Sequence, residues 1–337
     1  MKSILITGAS GFIGSFIVEK ALELGYKTWA CLRASSSRKY LSDERINFLV
    51  LDMSRPETLR VQLADHKVKY GKFDYIVHCA GVTKCRDKHQ FDQVNYIQTK
   101  DFVLALRELD MVPETFVFIS SLSLYGPVHE RTYEPIREED PISPNTAYGV
   151  SKRKAEVFLQ GLTDFPYVIL RPTGVYGPRE TDYFLMAKSI RSHVDFAVGY
   201  KRQDITFVYV RDVVQAVFKA IEKGKSVVGR AYFLSDGKVY QSTTFSNLIA
   251  AEMGVKHVLR ITAPLWVLWV VSEISDKVLG WLGKPSTLNP DKYQIMKQRN
   301  WKCDIEPARK ELGYDPQFDL RKGVKETIAW YKKEQWL

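Results

Sequence analysis

Tyr148 and Lys152 stand four apart, so a helix places them on one face, one turn from each other. A free phenol ionises near pH ~10, and using it as an acid/base at neutral pH requires lowering that by roughly 2–3 units. A cation about 5 Å away, at an effective dielectric of about 20, contributes roughly 3 kcal/mol, or about two units at ~1.4 kcal/mol per unit. One ammonium is nearly enough, and an oxidised nicotinamide would add more. Taken alone, the pair is more readily a packed Tyr and a solvated Lys; what decides is the rest of the chain.

The N-terminus supplies that context. Ser3-Ile4-Leu5-Ile6 reads as a buried strand. It leads into Thr7-Gly8-Ala9-Ser10-Gly11-Phe12-Ile13-Gly14 and then the helical pattern of Phe16–Leu22. Strand, glycine turn and helix in that order are what a dinucleotide site demands. Gly8 permits the tight turn, Gly11 admits the pyrophosphate to the backbone, and Gly14 lets the helix pack close to the strand. The free amides of the helix start, with Phe12 and Ile13, face the anion. The spacing Gly-x-x-Gly-x-x-Gly is one residue longer in its first gap than the usual fingerprint.

Together the two motifs resemble the extended short-chain dehydrogenase/reductase family, which includes the NAD-dependent epimerases and dehydratases, over nearly the whole chain. The resemblance implies an α/β protein, a doubly wound parallel sheet (Rossmann fold) with a smaller C-terminal substrate-binding domain. It makes Tyr148 the proton donor/acceptor, with Lys152 lowering its pKa and holding the nicotinamide ribose. Counting back from Tyr125-Gly126, Ser121 falls on the family's catalytic Ser/Thr, with Ser123 as fallback. Asp52, followed by Met53, matches an acidic position that contacts the adenine amino group. Ala80 and Gly81 are small enough for close backbone passage over the cofactor. Asn95 matches an Asn that orders the active-site backbone or a water, and Pro172, Gly174 and Val175 match the backbone that holds the nicotinamide carboxamide.

The elements that must position these residues follow the same order. Further strands read at 27–32, 46–51, 73–78, 114–119 and 167–170, with helical pattern from Gln90 to Leu109 and a helix capped at Asn145-Thr146. The Pro-rich, charged loop Pro127–Pro144 is exposed. The chain returns to the core near 205–212 and again near 231–234. The expected division is a dinucleotide-binding domain over 1–172, rejoined by about 203–235, and a substrate-binding domain over 173–202 and 236–337. At the end of the second strand, where NAD-binding relatives carry an acidic residue for the ribose hydroxyls, this chain has Arg33. A guanidinium binds a 2′-phosphate bidentately, so NADP(H) is favoured and NAD(H) is the alternative. His78 reads as a packed strand residue rather than a base.

Length and composition set the outer limits. A chain of 337 residues is long for one core. Cys31, Cys79, Cys85 and Cys303 are scattered, without Cys-x-x-Cys or His at ligand spacing, which speaks for a reducing compartment and against a metal. Met1-Lys2 enters a strand directly, so a cytoplasmic protein without a leader is expected. The formal charge of +10 is spread rather than clustered, which suits anionic cofactors and a membrane surface but lacks the basic, aromatic-laced stripe of a nucleic-acid binder. The family suggests a homodimer through the helices around 90–109 and 146–161.

Three departures from the family bear on the substrate. The Asp-Glu pair that serves water elimination in dTDP-glucose dehydratases is replaced by Leu122 and Ser123, so dehydration is disfavoured. The Asn that binds the substrate diphosphate in UDP-galactose epimerases is matched by Gly174, and Arg299-Asn300-Trp301-Lys302 stands where their Arg-Pro-Gly-Asp lies, although Arg191, Arg202 or Arg299 remain available for a phosphate. Finally, Pro264–Val271 opens an apolar helix that is too short to span a bilayer. Its core-facing stripe is assigned to Val267, Val270, Val271, Ile274, Val278 and Trp281, leaving Leu265, Trp266, Leu268 and Trp269 for a greasy substrate mouth, peripheral membrane contact or dimer packing. With Leu288-Asn289-Pro290 and Cys303–Tyr314, this third of the chain resembles the branch of 3β-hydroxysteroid dehydrogenases, dihydroflavonol-type reductases and lipid ketoreductases. The expected enzyme is an NAD(P)-dependent oxidoreductase interconverting a secondary alcohol and a ketone on an apolar, lipid- or steroid-like small molecule; the alternative is a nucleotide-sugar epimerase with tightly bound NAD.

Overall fold

A computed structural model describes residues 1–85, 87–281 and 289–337, except for the side chains of 276–281. Leu288 and the side chains of Val278 and Trp281, assigned above, therefore lie outside the described residues. Strands and helices alternate through the first half: β1 (Ser3–Thr7), α1 (Phe12–Glu23), β2 (Lys27–Leu32), β3 (Asn47–Val50), α2 (Pro56–Tyr70), β4 (Tyr75–His78), α3 (His89–Asp92), α4 (Gln98–Glu108), β5 (Thr115–Ile119), α5 (Ala147–Gln160) and β6 (Tyr167–Pro172). The second half adds β7 (Gly174–Tyr176), α6 (Asp182–Arg191), β8 (Val194–Val198), β9 (Asp204–Ile205), β10 (Phe207–Tyr209), α7 (Val210–Lys223), β11 (Ala231–Leu234), β12 (Tyr240–Gln241), α8 (Thr244–Met253), β13 (Leu259–Ala263), α9 (Leu265–Trp281), α10 (Pro290–Lys297) and α11 (Leu320–Lys333).

Seven strands form one parallel sheet in the order β11-β6-β5-β4-β1-β2-β3. Parallel pairing requires a crossover after each strand, and the helices supplied by those crossovers bury both faces. Alternate residues of β1 accordingly enter different cores: Ile4 and Ile6 pack with Phe16, Val213 and Val217 of α1 and α7, and Leu5 packs with Leu59, Phe102 and Leu106 of α2 and α4. This is the doubly wound Rossmann arrangement. The strand order reverses direction between β1 and β4, which is where such sheets bind ligands, outside the strands' carboxyl ends.

The return segments split between two places. β11 becomes the edge strand beside β6, whereas β10 pairs with β7 in a separate parallel ribbon. An aromatic core of Tyr176, Phe207, Tyr209, Phe245 and Tyr331 gathers α6, α8 and α11 around that ribbon. A further parallel pair, β8 with β13, carries α9 at its end.

The stripe assigned to α9 is corrected by the structure. Among its described side chains, Leu268 and Ser272, one turn apart, are the buried ones, while Val270, Val271 and Ile274 are exposed and Val267 is half-buried. The helix leans on the body along one narrow line, so valines that hydropathy alone would turn inward face solvent.

Candidate active site

The turn after β1 is shaped by its glycines. Gly8 has φ +66°, and a Cβ there would stand 2.8 Å from the Ala80 backbone nitrogen. A Cβ on Gly14 would come within 2.2 Å of the Gly8 carbonyl oxygen. Only bare backbone lets α1 close this tightly on β1 and lets the turn touch the end of β4. Gly11 caps α1 with extended backbone and no side-chain cap, so the first amides of the helix, including Phe12 and Ile13, are left for an anion. Ala80 and Gly81 lie directly across the turn, with the Ala80 amide donating to Thr7 Oγ1 at 3.2 Å.

Gly81 also ties this crevice to the helices behind it. A Cβ at Gly81 would lie 2.9 Å from Asn95 Oδ1 and 3.5 Å from Lys152 Nζ. Asn95 sits in a wide π turn, Gln93–Ile97, between α3 and α4. Its Oδ1 accepts from the Val82 amide (2.8 Å), and its Nδ2 donates to the Val82 carbonyl and Ser151 Oγ (both 3.0 Å). Asn95 thus fixes the loop after β4 to α5. His78 is packed as expected: its nitrogens meet Thr7 and Thr99, and burial brings its pKa down to about 3.

α5 begins at a Thr146 cap that accepts from the Gly149 amide at 3.0 Å. Gly149 matters a second time, because a Cβ there would meet the Ser123 carbonyl oxygen at 2.7 Å. The bare helix surface lets α5 approach the Leu122–Tyr125 turn, and there the Ser121 hydroxyl lies close enough to Tyr148 to favour its phenolate. Ser121 Oγ is also 2.9 Å from Ser123 Oγ, and Phe91 packs edge-on to the Tyr148 ring at 6.0 Å.

The electrostatics differ from the sequence expectation. Burial pushes the Tyr148 phenol up to about 12, and the group that opposes the rise is the Ser121 hydroxyl rather than the Lys152 ammonium. Lys152 is buried, donates to the Ile119 carbonyl at 2.8 Å and lies over the Phe118 ring; burial lowers its pKa to about 8. Helical spacing alone sets Lys152 against the phenol, whereas in the structure its ammonium meets the end of β5 and the space over Gly81.

The remaining candidates line the same sheet end without touching this cluster. Arg33 follows β2 as an exposed side chain whose backbone is tied to Ser36. Asp52, next to half-buried Met53, accepts from Ser54, which holds its carboxyl below the usual range. Pro172 ends β6, and Gly174 and Val175 open β7. Sequence reasoning missed two groups here. The Thr173 hydroxyl is buried without a partner, and the Tyr183 hydroxyl occupies the space over Gly174, 2.8 Å from where a Cβ would stand. A glycine inside a strand signals such a close approach. Among the described residues no cluster of His, Cys, Asp or Glu is arranged to hold a metal.

The chain matches the model of the NAD-dependent epimerase/dehydratase family over residues 4–234. A putative UDP-glucose 4-epimerase of Methanocaldococcus jannaschii is 26% identical over 98% of both chains. The decarboxylating sterol-4-alpha-carboxylate 3-dehydrogenase of Saccharomyces cerevisiae is 24% identical, again over 98% of both. Among solved structures, a UDP-glucose 4-epimerase of Thermotoga maritima with UDP-glucose superposes with a TM-score of 0.77 at 22% identity over 99% of both chains. The dTDP-glucose 4,6-dehydratase of Bacillus anthracis in complex with NAD reaches 0.76 at 21% identity over 100% of this chain and 98% of that one. A glycine turn at the sheet's switch point, a Ser–Tyr–Lys cluster beside it and a family match spanning both lead to one placement: this chain belongs to the NAD-dependent epimerase/dehydratase family.

Proposed function

We propose that the protein is an NAD(P)-dependent oxidoreductase that interconverts a secondary alcohol and a ketone on an apolar small molecule. The observation that carries the reading is the close approach of α5 to the turn after β5, which sets Tyr148 beside Ser121 and Lys152 over Gly81, next to the Gly8 turn. The cradle left by Gly8, Gly11 and Gly14 fits a dinucleotide pyrophosphate, with Phe12, Ile13, Ala80 and Gly81 alongside it, Asp52 and Met53 toward the adenine, and Pro172, Gly174 and Val175 toward the carboxamide. Such a cofactor supplies or accepts the hydride. Ser121 holds the substrate oxygen. Tyr148, protonated at neutral pH with its raised pKa, gives that oxygen its proton in the reductive direction. Lys152 and Asn95 keep the floor of the crevice in place. The domain division follows: 1–172 with about 203–235 for the dinucleotide, 173–202 and 236–337 for the substrate.

Two features favour an apolar substrate over a nucleotide sugar. Tyr183 leaves no space at position 174 for a side chain reaching toward a diphosphate. Of the arginines available for a phosphate, Arg202 is paired bidentately with Asp204 and Arg299 leans on Glu130, leaving Arg191. The epimerase reading rests on the resemblance to the putative UDP-glucose 4-epimerase. One assay separates them: with a panel of keto-lipids and NADPH or NADH, absorbance of the reduced cofactor should fall. Interconversion of UDP-sugars with a silent lipid panel overturns the proposal.

NADP(H) is the favoured cofactor because the Arg33 guanidinium is exposed and has no carboxylate partner among the described residues. Arg33→Asp should shift preference toward NADH, read as the ratio of kcat/KM for the two cofactors. An unchanged ratio removes Arg33 from the cofactor site.

A further inference from the structure

The surface around β8, β13 and the first turns of α9 is apolar, flanked in sequence by unpaired cations and distant in sequence from the proposed catalytic residues. On the β8–β13 ribbon, Phe196 pairs in register with Ile261, and Leu259 shares their face. Phe196 is 64% exposed and Leu259 67% exposed. The ribbon runs directly into α9: the Leu265 side chain sits 3.7 Å from where a Gly199 Cβ would be. From there Trp266 (69% exposed), Trp269 (51%) and Ile274 (57%) continue the apolar surface, with Val270 and Val271 beside them. Over the described side chains of α9, Leu268 and Ser272 are the buried positions, and Leu265, Trp266, Trp269, Val270, Val271 and Ile274 are exposed. Exposed apolar surface on this scale marks an interaction site.

Charge identifies the partner. Lys188 and Arg191 in the last turn of α6, Lys201 after β8 and Lys256 before β13 flank these elements in sequence, are exposed, and have no carboxylate partner among the described residues. Asp195 is buried and paired with Arg260 at 2.8 Å, leaving half-buried Glu273 as the carboxylate on the described part of the α9 face. Exposed Trp beside unpaired Lys and Arg matches the boundary of an anionic bilayer, where indole sits at the headgroups and each nearby cation adds attraction. No described helix is long and apolar enough to cross a membrane, so the fit is to lying on the surface.

We infer that this face docks the protein on an anionic phospholipid surface. Docking there also reaches the crevice. α9 packs on α10, and Asp291 in the first turn of α10 accepts from the Ala147 amide at 2.7 Å, at the start of the helix that carries Tyr148. The inference concerns where the protein sits and does not depend on which molecule it transforms.

The test is co-sedimentation of the full chain with phosphatidylcholine vesicles, with and without phosphatidylglycerol, together with tryptophan emission. Binding should require the anionic lipid and shift the emission to the blue. The double variant Trp266→Ala/Trp269→Ala should lose both signals. Lys201→Glu/Lys256→Glu keeps the indoles and should lower partitioning more than about 25-fold, at about five-fold per cation removed. Sedimentation with neither vesicle, or equal sedimentation of all three proteins, overturns the inference. So does size-exclusion evidence that the Trp variant only breaks a self-associated form that never bound lipid.

Discussion

At the residue scale, the proposed chemistry rests on Tyr148, and its environment sets its resting state. Burial raises the phenol and Ser121 opposes the rise, so the proton is held on Tyr148 across the neutral range. Lys152, lowered to about 8, titrates near that range instead. Tyr148→Phe keeps the ring that packs against Phe91 but removes the proton, so turnover should fall by about 10²–10⁴-fold while cofactor binding, followed by fluorescence titration, stays close to the parent's. Retained turnover would end the proposed role. A second titration lies away from the crevice. Burial pushes Glu138 up to about 7 from its ordinary 4.5, and one of its carboxyl oxygens has no partner. A raised carboxyl means that the folded state binds the proton more tightly, so this contribution to stability is present below about 4.5 and is lost as pH climbs through about 7. In Glu138→Gln the loss is absent. The variant's melting temperature relative to the parent should therefore rise between acidic and mildly alkaline buffer, and a flat difference would contradict it.

At the element scale, the site depends on how closely α5 approaches the turn after β5. Gly149→Ala would set a methyl 2.7 Å from the Ser123 backbone oxygen, and neither partner is a flexible side-chain end. The helix must move outward, separating Tyr148 from Ser121. Turnover should drop at least ten-fold, with a stability loss of about 1–3 kcal/mol for the overpacking, read by urea denaturation. If both stay at parental values, the close packing is not what aligns the pair. The elements that build this site were legible because short-range patterns specify them: apolar runs for the parallel strands, glycines for the β1 turn, Thr146 for the start of α5. What escaped depends on contacts between distant segments. The π turn at Asn95 exists to meet Val82 and Ser151, and the β8–β13 ribbon joins residues more than sixty apart. The α9 stripe was misassigned because hydropathy cannot say how wide a surface the body offers. Tyr183 over Gly174 left a trace only as a glycine within a strand.

At the scale of the whole molecule, two apolar surfaces have to be kept apart. One lies on β8, β13 and α9, elements flanked in sequence by unpaired cations. The other lies on α5, where Val150 and Val157, seven residues and two turns apart, are both exposed. Beside them, Lys154 pairs with Asp92 at 2.8 Å and lies over Tyr96, and Arg153 donates to Gln160. An exposed apolar stripe suits a second copy of the same helix, because a two-fold contact brings like against like. The α4–α5 side is thus the expected dimer face, and the cationic surface is left free for lipid. Val150→Glu/Val157→Glu places two carboxylates on each side of that contact. Light scattering on the eluting peak should then report the mass of one chain where the parent gives two, with vesicle binding retained per chain. A variant that keeps the parent's mass would move the dimer contact elsewhere. A parent already at the mass of one chain would show that no such contact forms.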